Sequence, residues 1–128
     1  MTSRERVEYC LAHKLPDQIP LDFGATPTTG IHVSIVYQLR QKLGLDKPGT
    51  PVKVIEPYQM LGEIKADLRD ILGIDVVGVN PLYTLLGFKN EGWKEWEFFD
   101  GTPLLVPADF NIQPDSEGNI FHYPQNDH

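Results

Sequence analysis

Apolar positions along this chain alternate between helical and strand spacing. Val7, Cys10, Leu11 and Leu15 recur at three- and four-residue steps and predict an amphipathic helix. Thr2 and Glu5 give it a capping-box start, with Ser3 as a rival cap, and Pro16 ends it. Residues 19–23 then read as a short strand, with Pro20 tolerable only near its start or at an edge. Residues 26–30 are loop. Ile31, Ile35, Leu39 and Leu43 mark a second helix, and Gly44 suits its C′ position.

After a Pro/Gly-rich connector, residues 52–55 form a strand candidate, and Pro57 suits the first turn of a third helix. Leu61, Ile64, Leu68, Ile71 and Leu72 would carry its buried face, and Gly73 would close it. Residues 74–79 are almost continuously apolar, as in a parallel strand covered on both faces. The order α-β-α-β-α-β over residues 1–80 predicts an α/β domain with a parallel sheet. Residues 81–128 follow another pattern. An Asp100-Gly101 turn between residues 96–99 and 102–106 signals one hairpin, and residues 110–112 and 120–123 suggest a second.

Composition narrows the function classes. A chain of 128 residues is one domain by length, and 41% hydrophobic with 23% charged residues is ordinary for a globular protein. A net charge of −7 argues against nucleic acid, whose phosphates call for clustered Lys and Arg. No run approaches a membrane span, and the polar N-terminus lacks the apolar core of a signal peptide, so a cytoplasmic protein is expected. The lone Cys10 excludes an internal disulfide and reads as a small core residue rather than a reactive thiol.

Candidate chemistry gathers at the carboxyl ends of the expected strands, where α/β folds place their sites. Asp22 could orient a substrate or act as acid or base; it could equally accept N–H bonds from the loop that follows. Gly24, Gly30 and the threonines between them offer donors suited to an anion, or simply a strand–helix turn. His32 could donate to a substrate or shuttle a proton, or cap its helix. Asn80 could hydrogen-bond a ligand or, with Pro81, start a turn. His13, His122 and His128 have no partner at metal-ligand spacing and read as surface residues. Trp93, Trp96, Phe98 and Phe99 read as core, or as a pocket or dimer surface.

Three runs together resemble the uroporphyrinogen decarboxylase family, which also holds corrinoid-dependent methyltransferases. They are Thr2-Ser3-Arg4-Glu5-Arg6-Val7, the His-Lys-x-Pro-Asp-x-Ile-Pro run from His13 to Pro20, and Gly73-Ile74-Asp75-Val76-Val77-Gly78. The resemblance implies a (β/α)8 TIM barrel with a helical lead-in. A barrel takes about 250 residues, so this chain would be its N-terminal portion, with the hairpins of residues 81–128 as an insertion.

True decarboxylases carry an Arg-Gln-Ala-Gly-Arg motif after the first strand; here that region, residues 23–30, has no arginine. Leu82 falls where their catalytic aspartate would be. The resemblance therefore implies the methyltransferase-like branch, with corrinoid-linked methyl transfer in the complete protein. Asp22, His32 and Asn80 would contact substrate. Zinc in that branch is held by His and Cys residues far downstream, so no cofactor is expected within this chain. Expected partners are a small-molecule substrate, a tetrapyrrole or corrinoid, and a complementary barrel fragment. The alternatives are a uroporphyrinogen decarboxylase (a lyase of porphyrin biosynthesis) and a non-enzymatic small α/β binding module.

Overall fold

The first helix, α1 (Ser3–Leu11), starts as its sequence predicts. The Thr2 hydroxyl accepts the Glu5 N–H at 3.2 Å, and the Glu5 carboxylate accepts the Thr2 N–H at 2.7 Å. This is a computed structural model, and it describes residues 1–123. The helix stops at Leu11 rather than running on to Pro16, with His13 already at φ 54°, and neither its apolar stripe nor Leu15 beyond it is buried. Leu11 and Leu15 are 77% and 93% exposed, and Cys10 is exposed rather than in the core. What ties α1 down is polar: the Arg6 guanidinium bridges the carboxylates of Asp17 and Asp75.

Helix α2 (Val33–Lys42) ends at Leu43, with Gly44 in the left-handed region at φ 67°, as expected of a C′ glycine. Its buried face is rotated from the predicted stripe. Val33, Val36 and Arg40 are buried while Ile35 is 46% exposed. An arginine can occupy that face because two carboxylates meet it. Asp67 accepts from both terminal guanidinium nitrogens at 2.8 Å, and Asp46 accepts from Nε and Nη2.

Strand β1 (Val52–Glu56) forms where expected, but the third helix does not begin at Pro57. Residues 57–60 turn instead, with Met60 at φ 56°, and residues 61–62 become β2 (Leu61–Gly62), antiparallel to β1. The Met60 carbonyl accepts the Val33 N–H at 2.8 Å, a tertiary bond that a helix would have consumed internally. Only α3 (Ala66–Leu72) is helical, closed by Gly73 at φ 67° as predicted.

The Asp100-Gly101 hairpin is present, as β3 (Lys94–Glu97) and β4 (Pro103–Val106). The Asp100 carboxylate accepts the N–H and hydroxyl of Thr102, which fixes the turn. The second hairpin pairs β5 (Gln113–Pro114) with β6 (Ile120–Phe121). Its first strand is displaced from residues 110–112 because Phe110 is 4% exposed and serves the core.

The sheet runs β2-β1-β4-β3, with β1 and β4 parallel and the outer pairs antiparallel. The protein is therefore mixed α/β, with three helices and a mixed four-stranded sheet among the described residues. One core joins Val33 and Val36 of α2, Val54 of β1, Leu68 of α3, and Leu104 and Val106 of β4. Each such buried side chain contributes about 1.5–3 kcal/mol. No helix among the described residues is long and apolar enough to cross a membrane.

Two predicted strands are absent from the sheet: residues 19–23 and 74–79 are extended but form no ladder. Their sequences have strand character, but one backbone bond, Asp75 N–H to the Leu21 carbonyl, joins them among the described residues, and the Leu21 N–H goes to the Asp75 carboxylate instead of a ladder partner.

His122 also departs from the surface position expected of it; His128 lies outside the described residues. The His122 ring packs against Phe88 and Phe110, at 5.3 and 4.9 Å between centroids, and its Nε2 is buried without a partner among the described residues. Burial holds its pKa below the ordinary 6.5. The unfolded chain therefore takes up this proton first, so the His122 contribution is complete above about pH 6.5 and is lost on acidification below it. Thermal midpoints at about pH 7.5 and about pH 5.5, a window set by histidine titration, are expected to differ. The difference should shrink in His122→Leu.

Candidate functional site

Residues 19–25, whose last three bend into the glycine-rich loop, and residues 74–80 lie side by side and run in the same direction. The Asp75 N–H donates to the Leu21 carbonyl at 2.8 Å, and the Asp75 carboxylate accepts the Leu21 N–H at 3.0 Å. That bond, together with Arg6, holds the Asp75 carboxyl below the usual carboxylate range. Further along, Gly78 passes so close to Ala25 that a Cβ would lie 2.0 Å from the Ala25 carbonyl oxygen.

A pocket of about 350 Å³ opens at the carboxyl ends of these segments and of β1. One wall is the loop from Gly24 to Pro27 with Gly30; a second is Ile55, Glu56, Gln59 and Leu61; a third is Val79, Asn80 and Pro81. Tyr83, Thr84, Leu85 and Asn90 make the fourth. That last wall is a tight loop in which Asn90 donates its N–H to Leu82 and Thr84 donates to Phe88, at 3.0 and 2.8 Å. Phe88, 3% exposed, anchors the loop in the core.

Of the three candidate residues, only Asn80 lines this pocket. It is exposed, and its side chain makes no hydrogen bond among the described residues. Asp22 and His32 instead meet in an open, shallow hollow that shares Gly30 with the pocket. Both have structural work there. Asp22 accepts the Ala25 N–H at 3.1 Å and the Thr29 hydroxyl at 3.0 Å. His32 is the N-cap of α2, its Nδ1 accepting the Ser34 N–H, and its ring meets Phe98 edge-on at 5.2 Å.

The loop is also less suited to an anion than its composition suggests. The N–H groups of Gly24, Ala25, Thr26 and Thr29 all bond within the loop. In the first turn of α2, Val33 donates to Met60, Ser34 to the His32 ring and Ile35 to the His32 carbonyl.

Glu56 was not a sequence candidate, yet among the described residues it is the only charged side chain in the pocket lining. It ends β1, and a carboxylate at the carboxyl end of a strand was the signal that could have found it. Its two oxygens accept the N–H groups of Tyr58 and Gln59 at 3.0 and 2.8 Å. Two oxygens of the fourth wall's residues, Thr84 Oγ1 and Asn90 Oδ1, are buried without a partner among the described residues.

No three His, Cys, Asp or Glu side chains among the described residues gather as a metal site. The pocket is at the small end of the roughly 300–1,000 Å³ range of ligand sites, a size for a compact substrate. No family model, curated protein or solved structure matches this chain.

Proposed function

We propose that this chain is the N-terminal portion of a uroporphyrinogen-decarboxylase-like (β/α)8 enzyme of the methyltransferase-like branch, and that it supplies part of the substrate pocket. The observation that carries the reading is the parallel course of residues 19–25 and 74–80, with a pocket at their carboxyl ends. Neighbouring parallel strands with a site at that end are the arrangement of a barrel. Exposed apolar residues on both segments support it. Ile19, Val77 and Val79 are 81%, 65% and 96% exposed, an arrangement that neighbouring barrel strands and helices would cover.

In the complete protein the reaction is transfer of a methyl group involving a corrinoid. Zinc and corrinoid would then be held by residues outside this chain. The decarboxylase alternative has less support, since neither residues 23–30 nor the pocket lining contains an arginine. The coding sequence after His128 tests the proposal. It is expected to continue into further barrel strands carrying a His-x-Cys pattern; unrelated sequence there would overturn it.

A second reading, the non-enzymatic small α/β binding module, draws on the shared core, in which Leu104 and Val106 of the hairpin pack with Val36 and Val54. A monodisperse monomer with one cooperative thermal transition would favour the module, whereas aggregation or assembly with a complementary fragment favours the barrel.

A further inference from the structure

We infer that the ligand of this pocket is a protonated amine carried on a compact apolar body. The inference rests on reading the pocket as the substrate site and deepens that reading by naming the ligand's charge. Glu56 is half-buried at the pocket wall, and it forms no ion pair among the described residues. No Lys, Arg or His among the described residues joins it in the lining. An anionic ligand would meet this carboxylate with nothing to offset the repulsion, whereas an ammonium group would supply the missing partner.

The hydrogen-bonding balance points the same way. The N–H groups of Gly24, Ala25 and Thr26, three of the loop residues lining the pocket, are already bonded within the loop. Ile55, Leu61 and Leu85 supply the apolar surface for the body of the ligand. The net charge of −7 adds a field that draws cations to the chain.

Benzylamine, benzyl alcohol and benzoate share a shape and differ in charge, so they isolate this claim. Amide chemical shifts of Thr26, Asn80 and Thr84 would be followed while each is titrated into the full chain. Benzylamine is expected to bind roughly fivefold tighter than benzyl alcohol, the size of one partly exposed ion pair, and benzoate weakest. Added salt should weaken only benzylamine.

In Glu56→Gln the benzylamine advantage should disappear while benzyl alcohol still binds, which also shows that the turn at Tyr58 has survived. If that variant does not fold, the salt series on the unmodified chain decides. Benzoate or benzyl alcohol binding as tightly as benzylamine would overturn the inference. So would silence of all three probes at about 10 mM, well above the Kd of a weak specific ligand. The barrel proposal is tested separately by the downstream sequence, so either can fail while the other stands.

Discussion

Replacing Arg40 by alanine is expected to lower stability by about 4 kcal/mol, the scale for removing one partner of a buried ion pair. For a domain of this size that corresponds to a fall of roughly 15 °C in the thermal midpoint. Arg40 is 3% exposed, on the face of α2 that meets the core. It joins three parts of the chain: its own helix, the connector at Asp46 and the first turn of α3 at Asp67. Removing it leaves a cavity and strands the Asp46 carboxylate, whose side chain is only 12% exposed. Asp67 suffers less, because it can turn to solvent.

The same network sets part of the acid sensitivity. The Arg40 guanidinium holds the Asp67 carboxyl at about 2 and keeps Asp46 below its ordinary value. Between about pH 4 and pH 2 the unfolded chain binds protons that the folded one refuses. This contribution is therefore complete above about pH 4 and is lost as pH falls through that window. Arg40→Ala should flatten it, as read from thermal midpoints at a series of pH values. The triple variant Arg40→Met, Asp46→Asn, Asp67→Asn is expected to recover much of the loss, because an apolar replacement of the whole network leaves no stranded charge.

Arg40 also marks where sequence reading stops. Local signals were legible wherever a short stretch determines its own conformation: the Thr2–Glu5 capping box, Gly44 and Gly73 at helix ends, and the Asp100-Gly101 turn. The buried face of α2 was not. Ile35 and Leu43 suggested one stripe, and only the carboxylates of Asp46 and Asp67, one of them in α3, make burial of the adjoining stripe with Arg40 feasible. Residues 57–62 show the same limit. Pro57 and Leu61 fit a helix, but the bond from Val33 N–H to the Met60 carbonyl holds residues 57–60 in a turn, and the pairing of β2 with β1 draws Leu61 and Gly62 into the sheet.

The site follows the same rule. Asn80 was legible because it ends an apolar run, and it does line the pocket. Asp22 and His32 had the right chemistry, but their side chains are occupied by the loop and by the α2 cap. Glu56 escaped notice because Pro57 suggested that a helix began there. The fourth wall depends on Phe88 reaching the core, a long-range contact with no local signature.

Gly78 carries the second large effect. Gly78→Ala is expected to lower stability by about 3 kcal/mol, the upper part of the range for overpacking a close contact, and to abolish ligand binding in the pocket. The added Cβ would lie 2.0 Å from the Ala25 carbonyl oxygen and 2.9 Å from its Cα, both backbone atoms. No side-chain rotamer can relieve such a contact, so the two extended segments must separate. Their separation strains the two bonds between Asp75 and Leu21, and it moves Asn80 away from the loop that forms the opposite wall.

Gly73→Ala is the control, because a Cβ there meets no atom within 4 Å and its cost comes only from the left-handed φ of 67°. That variant should lose about 1 kcal/mol and keep the pocket. If Gly78→Ala melted like the control and still moved the Thr26 and Asn80 amides on titration with benzylamine, the close parallel pairing would not be what shapes the site. The expected pattern is the opposite: ligand response lost in Gly78→Ala and retained in Gly73→Ala, because the pocket exists only while these two segments touch.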